Sequence, residues 1–199
     1  MSKRSTLVVN VIIACILLSL SVVVFTTDLN SVFLTVSAPL QSGNRNNQNI
    51  SLMFTVNGQT PYLEPILDIL EEKGLQATFF VDGTWASANL GLLNRIKDEH
   101  EIGNGGKNIT TTQQLLKNIM ESPPTLFHPP DGRVTRQLLR VAEGLSLVTV
   151  LPSNNAPVRN GDLILLSPNQ ATMFALPQKI DDLLVNGFNL TKVSETIAP

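Results

Sequence analysis

PYLEPILDILEEKGLQATFFVDGTWA, residues 61–86, carries a helix, a stop, a strand and a turn in one unbroken stretch. Its apolar residues fall at 62, 63, 66, 67, 69 and 70, a spacing that lays one stripe along an α-helix. Gly74 stops that helix. LQATFFV, residues 75–81, is then a strand rich in apolar and aromatic residues. Asp82 follows where the strand gives way to a loop.

The same alternation extends outward on both sides. ISLMFTV, 50–56, is a strand ahead of the stretch. Behind it come a helix over 86–98, a strand at 100–103 and a helix capped by Thr111 that runs through Met120. Pro123 and Pro124 end that helix, and TLFH, 125–128, is a short strand. A helix across 135–143, strands at 146–150 and 161–166, a helix over 177–186 and a strand at 189–193 complete the chain. Strands that are apolar on both faces, alternating with helices, imply a parallel sheet covered by helices. Seven or so strands suit a small barrel or a doubly wound sheet. In either fold the functional residues gather where strands end. That rule selects Thr55, Asn57, Asp82, the stretch 104–108 with Asn104, the stretch 128–131 with His128 and Asp131, and Ser167.

Charged residues make up 15% of the chain and the net charge is -2, so there is no electrostatic case for nucleic acid. One cysteine, Cys15, excludes an intrachain disulfide and a cysteine-based zinc site. Lys3 and Arg4 precede an uncharged apolar run over residues 7–25, long enough to span a bilayer, and Asp28 follows it. The run is long for a signal peptide, and the chain stays apolar after Cys15 where a lipoprotein turns polar. The expectation is an uncleaved anchor over 1–28, a polar tether over 29–49 and a folded domain over 50–199. The charge bias puts the amino terminus inside and that domain on the outer side of the membrane.

From Ile50 to Thr196 the chain resembles the polysaccharide deacetylase family, the NodB-homology domain, and within it the membrane-anchored bacterial branch. The resemblance rests on ISLMF, on the stretch 61–86, on LLNRIKDEHEIGN, LFHPPDG and GDLILLS, and on LPQKIDDLLVNGFNLTKVSE. It implies a deformed (β/α) barrel of about seven mostly parallel strands with a groove at their carboxyl ends. It also implies a divalent metal such as zinc. In the family an acidic pair ends the first strand, one carboxylate acting as base and the other as ligand. Two histidines spaced H-x-x-x-H follow the IGN turn, an arginine precedes the Pro-Pro pair, and a histidine after the GDLILL-like strand is the general acid.

This chain departs at each of those places. The carboxylates match Thr55 and, depending on a gap, Val56 or Asn57; the metal histidines match Gly105 and Ile109. The arginine is His128, the tyrosine after the Pro-Pro pair is Asp131, and the acid histidine is Ser167. The expectation is a degenerate member with no metal cofactor, which binds a cell-wall glycan or an envelope protein through the old groove. One alternative is a residual N-deacetylase with a relocated site at His128, Asp131 and Asp82; another is a structural envelope module. His100 reads as a hydrogen-bonded scaffold histidine, Trp85 as a packing residue, and the sequons at Asn49, Asn108 and Asn189 as chance.

Overall fold

The computed structural model describes residues 37–58, 60–153 and 155–198, together with Ile12, Ile13, Cys15 and Ile16. Those four are helical and exposed, and the rest of the 7–25 run lies outside the described residues. Among the described residues no helix is long and apolar enough to cross a membrane.

Strand β1 (Asn49–Val56) lies inside a parallel sheet, with β2 (Thr78–Val81) on one side and β6 (Leu163–Leu166) on the other. The sheet continues from β2 through β3 (Glu101–Asn104) and β4 (Leu126–Phe127) to β5 (Val148–Thr149). β7 (Asn189–Leu190) pairs with the first residues of β1. The helices are α1 (Leu63–Glu72), α2 (Gly83–Ala88), α3 (Leu90–Glu99) and α4 (Ile109–Ile119), then α5 (Arg136–Gly144), α6 (Gln170–Val185) and the short α7 (Val193–Thr196). The expected parallel strands are present, and the deformed barrel expected from the resemblance is a curled seven-stranded sheet whose path ends at β5 and β6.

Alternation along the strands makes two cores. Ile50, Leu52, Phe54, Phe79 and Val81 face the helices, where Leu63, Ile66, Leu67 and Leu70 present the α1 stripe. Met53, Phe80, Leu126, Val150, Leu163 and Val193 fill the inside of the curl. The amino end of the curl is closed by α7: Val193 N–H donates to Thr78 Oγ1 at 2.9 Å, and Ser51 and Thr196 hydroxyls meet at 2.6 Å. β5 and β6 are not neighbours in the sheet. Residues 40–43, read as tether, lie between them: Leu40 bridges to Val150 in parallel, Ser42 to Asp162 in antiparallel, and Gly43 N–H donates to Gly161 O at 2.7 Å. Gly43 is required there, since a Cβ would overlap the Thr196 carbonyl.

Several boundaries differ from the sequence reading. The helix expected over 86–98 is two, because Asp82 starts a turn at Gly83 and Asn89 leaves helical geometry at φ -129, ψ 49. The cap of α4 is Asn108, whose side chain accepts from Thr111 N–H, and Thr111 lies inside the helix. α6 begins at Gln170, seven residues before the proline read as its start. Pro177 sits within it, removing one backbone donor from a long helix. The strand expected over 189–193 is Asn189–Leu190 followed by α7.

His100 was expected to be hydrogen-bonded, and it is not. It is 7% exposed, its ring lies 5.1 Å from that of Phe79, and neither ring nitrogen has a partner among the described residues. Burial, with Arg95 adding to it and Glu71 opposing, pushes its pKa down from 6.5 to about 4. Between those values the unfolded chain holds the extra proton, so stability is full above pH 6.5 and is lost as pH falls towards 4. The slope approaches about 1.4 kcal/mol per pH unit at its steepest. The urea midpoint of the chain should therefore fall between pH 7 and pH 4.5, and His100→Leu should flatten much of that fall. An unchanged pH slope in the variant would assign the effect elsewhere.

Candidate functional site at the carboxyl ends of the strands

The site is built on Phe80. Its ring occupies the inside of the curl because its register partner on β3 is Gly103, where any Cβ would run into the ring. Thr55, opposite Phe80 on β1, is half-buried, and the next inward positions along β1, β3 and β4 are Asn57, Gly105 and His128.

The loop from β3 to α4 is held by one side chain. Asn104 is fully buried, and its Nδ2 donates to Ile109 O and to Gln113 Oε1, both at 3.0 Å. Its Oδ1 accepts from Gly106 N–H at 3.1 Å, and Gln113 Nε2 in turn donates to Pro124 O at 2.8 Å. Asn104, selected from the sequence as a strand-end candidate, is thus occupied as scaffold, with both of its side-chain polar atoms bonded within the loop. The loop so formed is tight. A Cβ on Gly105 would lie 2.5 Å from the Phe80 carbonyl oxygen, and one on Gly106 would overlap the Thr112 side chain. Ile109 is buried with Phe127, Ala142 and Leu147.

His128 is 1% exposed and its Nδ1–H donates to Val150 O at 3.0 Å, with its ring 5.4 Å from that of Phe80. Burial lowers its pKa, and the Val150 bond and the charge of Asp131 oppose the shift. It is a neutral imidazole whose Nδ1 is committed. Asp82 caps α2, accepting from Thr84 N–H at 2.9 Å and Trp85 N–H at 3.2 Å. Asp131 is exposed and accepts from Arg133 N–H at 3.1 Å, while Ser167 and Asn57 are exposed. Trp85 is buried, its Nε1–H donating to Thr60 Oγ1 at 3.2 Å, which is a packing role.

These residues do not fit a divalent ion. Thr55 and Asn57 offer no carboxylate, Gly105 has no side chain and no space for one, and Ile109 is apolar and buried. The relocated site fares no better, since Asp82, Asp131 and His128 each serve a local backbone bond. Among the described residues no group of three His, Cys, Asp or Glu could hold a metal.

Beside this loop lies a cavity of about 360 Å³, lined by Lys107, Pro129, Pro130, Asp131, Arg133 and Leu138 among others; the sequence reading selected the stretches 104–108 and 128–131 but not Arg133 or Leu138. The signal for the cavity was there, a lysine directly after the glycine pair and an arginine two residues beyond Asp131. A larger cavity, about 450 Å³, lies between residues 37–40, α5 and β5. No residue selected from the sequence lines it.

The chain folds as a curled parallel sheet with a groove at the strand ends, and its residues 42–107 match the family model described as polysaccharide deacetylase. It is 27% identical over 190 residues to the uncharacterized protein YlxY of Bacillus subtilis (strain 168), covering 79% of this chain and 60% of that one. It thus spans less than two thirds of that relative. It is 27% identical over 191 residues to a peptidoglycan-N-acetylglucosamine deacetylase of Bacillus cereus, covering 76% of this chain and 90% of the relative. Its fold matches that of a wild-type CE4 family pseudoenzyme from Bacillus anthracis with a TM-score of 0.75 at 22% identity, over 81% of this chain and 69% of the other.

Asn104→Ala should cost about 2–4 kcal/mol in urea unfolding, since it leaves the Gly106 N–H and the Gln113 amide without their partner in a buried loop. A loss under about 1 kcal/mol would mean the loop is held by other contacts.

Proposed function

We propose that this chain is a catalytically silent deacetylase-like domain, held outside a bacterial cytoplasmic membrane by residues 7–25, that binds a cell-wall glycan in the groove at its strand ends. The observation that carries the reading is the Gly105–Gly106 loop, which packs backbone against the Phe80 carbonyl where the family's first metal histidine would stand.

Amide hydrolysis at neutral pH needs an activated water, a stabilised oxyanion and a proton for the leaving amine. Thr55 and Asn57 supply no base, and the hydroxyl of Ser167 is far too weak an acid to replace an imidazolium at neutral pH. His128 is held neutral and turned towards Val150. What remains at the ends of β1 and β6, Thr55, Asn57 and Ser167, are uncharged hydrogen-bonding groups suited to sugar hydroxyls. The B. cereus relative's name, a peptidoglycan-N-acetylglucosamine deacetylase, supports a cell-wall glycan as the ligand.

Zinc titrated by calorimetry into the full chain in detergent should give no saturable heat at micromolar concentration. Chitotetraose incubated with zinc and the chain should bind without releasing acetate. Gly105→His should not create zinc affinity, because its Cβ has no room beside Phe80. Stoichiometric submicromolar zinc binding, or zinc-dependent acetate release, would overturn the silent reading.

A further inference from the structure

We propose that the cavity beside the Pro129–Pro130 turn is a subsite for an acidic saccharide, a sugar unit carrying an oxyanion. This deepens the glycan-binding reading above and rests on it. Both walls of the cavity are fixed before any ligand arrives. On one side the Asn104 amide holds Gly106, and Lys107 follows directly. On the other, Gly132 N–H donates to Pro129 O at 2.9 Å with Gly132 at φ 67, and Asp131 accepts from Arg133 N–H, so the turn is closed twice.

The chemistry of the lining is mixed in a way that suits such a sugar. Pro129, Pro130 and Leu138 give a stiff apolar surface for the C–H face of a pyranose ring. Lys107 and Arg133 are exposed, and neither takes part in an ion pair or side-chain hydrogen bond among the described residues. A guanidinium and an ammonium left open on one small cavity match a carboxylate or phosphate, the guanidinium in bidentate fashion. Asp131 also lines the cavity. One of its oxygens closes the turn, and the other is available to accept from a sugar hydroxyl. The lining therefore carries two cations and one anion, and a wholly neutral sugar would leave a net positive charge without a counter-charge.

The oxyanion has two natural sources, a carboxylate on the sugar itself or the phosphate of a polyol phosphate. The test measures binding to the full chain in detergent, at low and at physiological salt, for three probes. These are chitobiose, the disaccharide of N-acetylglucosamine and N-acetylmuramic acid, which adds a lactyl carboxylate, and glycerol phosphate. The expected result is at least about a tenfold preference for an anionic probe over chitobiose at low salt, shrinking as salt rises. Lys107→Gln with Arg133→Gln, checked for folding by circular dichroism, should bring the affinities together. Preference for the muramic disaccharide identifies a carboxylate, and preference for glycerol phosphate identifies a phosphate. Affinity for chitobiose equal to or above that for both anionic probes, or a preference that survives in the double variant, would overturn the subsite and leave the glycan reading standing. Binding of glycerol phosphate with neither disaccharide bound would overturn the glycan reading instead.

Discussion

One buried amide decides how this site is shaped. Asn104 ends β3 with no solvent contact, so each of its polar atoms must find a partner inside the protein or carry a desolvation cost of a few kcal/mol. It finds them at Gly106, Ile109 and Gln113, which join the strand end, the loop and the first turn of α4. That short path is open only to residues without side chains, and the two glycines supply it. The loop cannot at once be drawn this tightly against Phe80 and carry a histidine at 105. The missing metal seat and the firm loop are two descriptions of the same packing.

The inside of the curl is filled to match. Polar side chains at the amino end, Ser51, Thr78 and Thr196, are paired with one another or with α7. Phe80 fills the middle over Gly103, and His128 covers it with one nitrogen turned to Val150. A neutral imidazole suits this place, because it packs against an aromatic ring and satisfies a backbone carbonyl without bringing in a charge. An ionised group at 128 would need a counter-charge nearby, and the carboxylate acting on His128 is Asp131, which is exposed and bonded to its own turn.

The sheet was legible because its signals are local and repeated. The stripe at 63, 66, 67 and 70 and the two-faced FFV of β2 each require burial on a stated face, and the folded chain buries them there. The ends were less legible. Asn108 and Thr111 are both good caps, and only the depth of Ile109 in its small core shows that the helix starts at the first. Pro177 resembled a helix start since proline favours that position, yet Asn169 caps the helix two turns earlier. For the site, the resemblance told which ligand positions hold a glycine or an isoleucine, and neither can ligate through its side chain. It was silent on space. That Gly105 has no room, that His100 lacks a bonding partner and that Lys107 and Arg133 border one cavity all depend on distances between segments far apart in the chain.

The framework and the chemistry of this fold are held by different bonds, and this is why one can persist without the other. Strand pairing, the inner core and the Asn104 tie use backbone groups and buried side chains, so a change there is felt as stability. The strand-end positions Asn57, Asp131 and Ser167 are exposed, and no buried contact depends on their identity. Acidic, basic or neutral residues fit there at little cost to the fold. The charge displayed at the rim can therefore change while the strands beneath it stay the same. Here Lys107 and Arg133 border one cavity beside the Pro129–Pro130 turn, and on the reading proposed above they select ligands by an anion and a ring face rather than by a scissile bond.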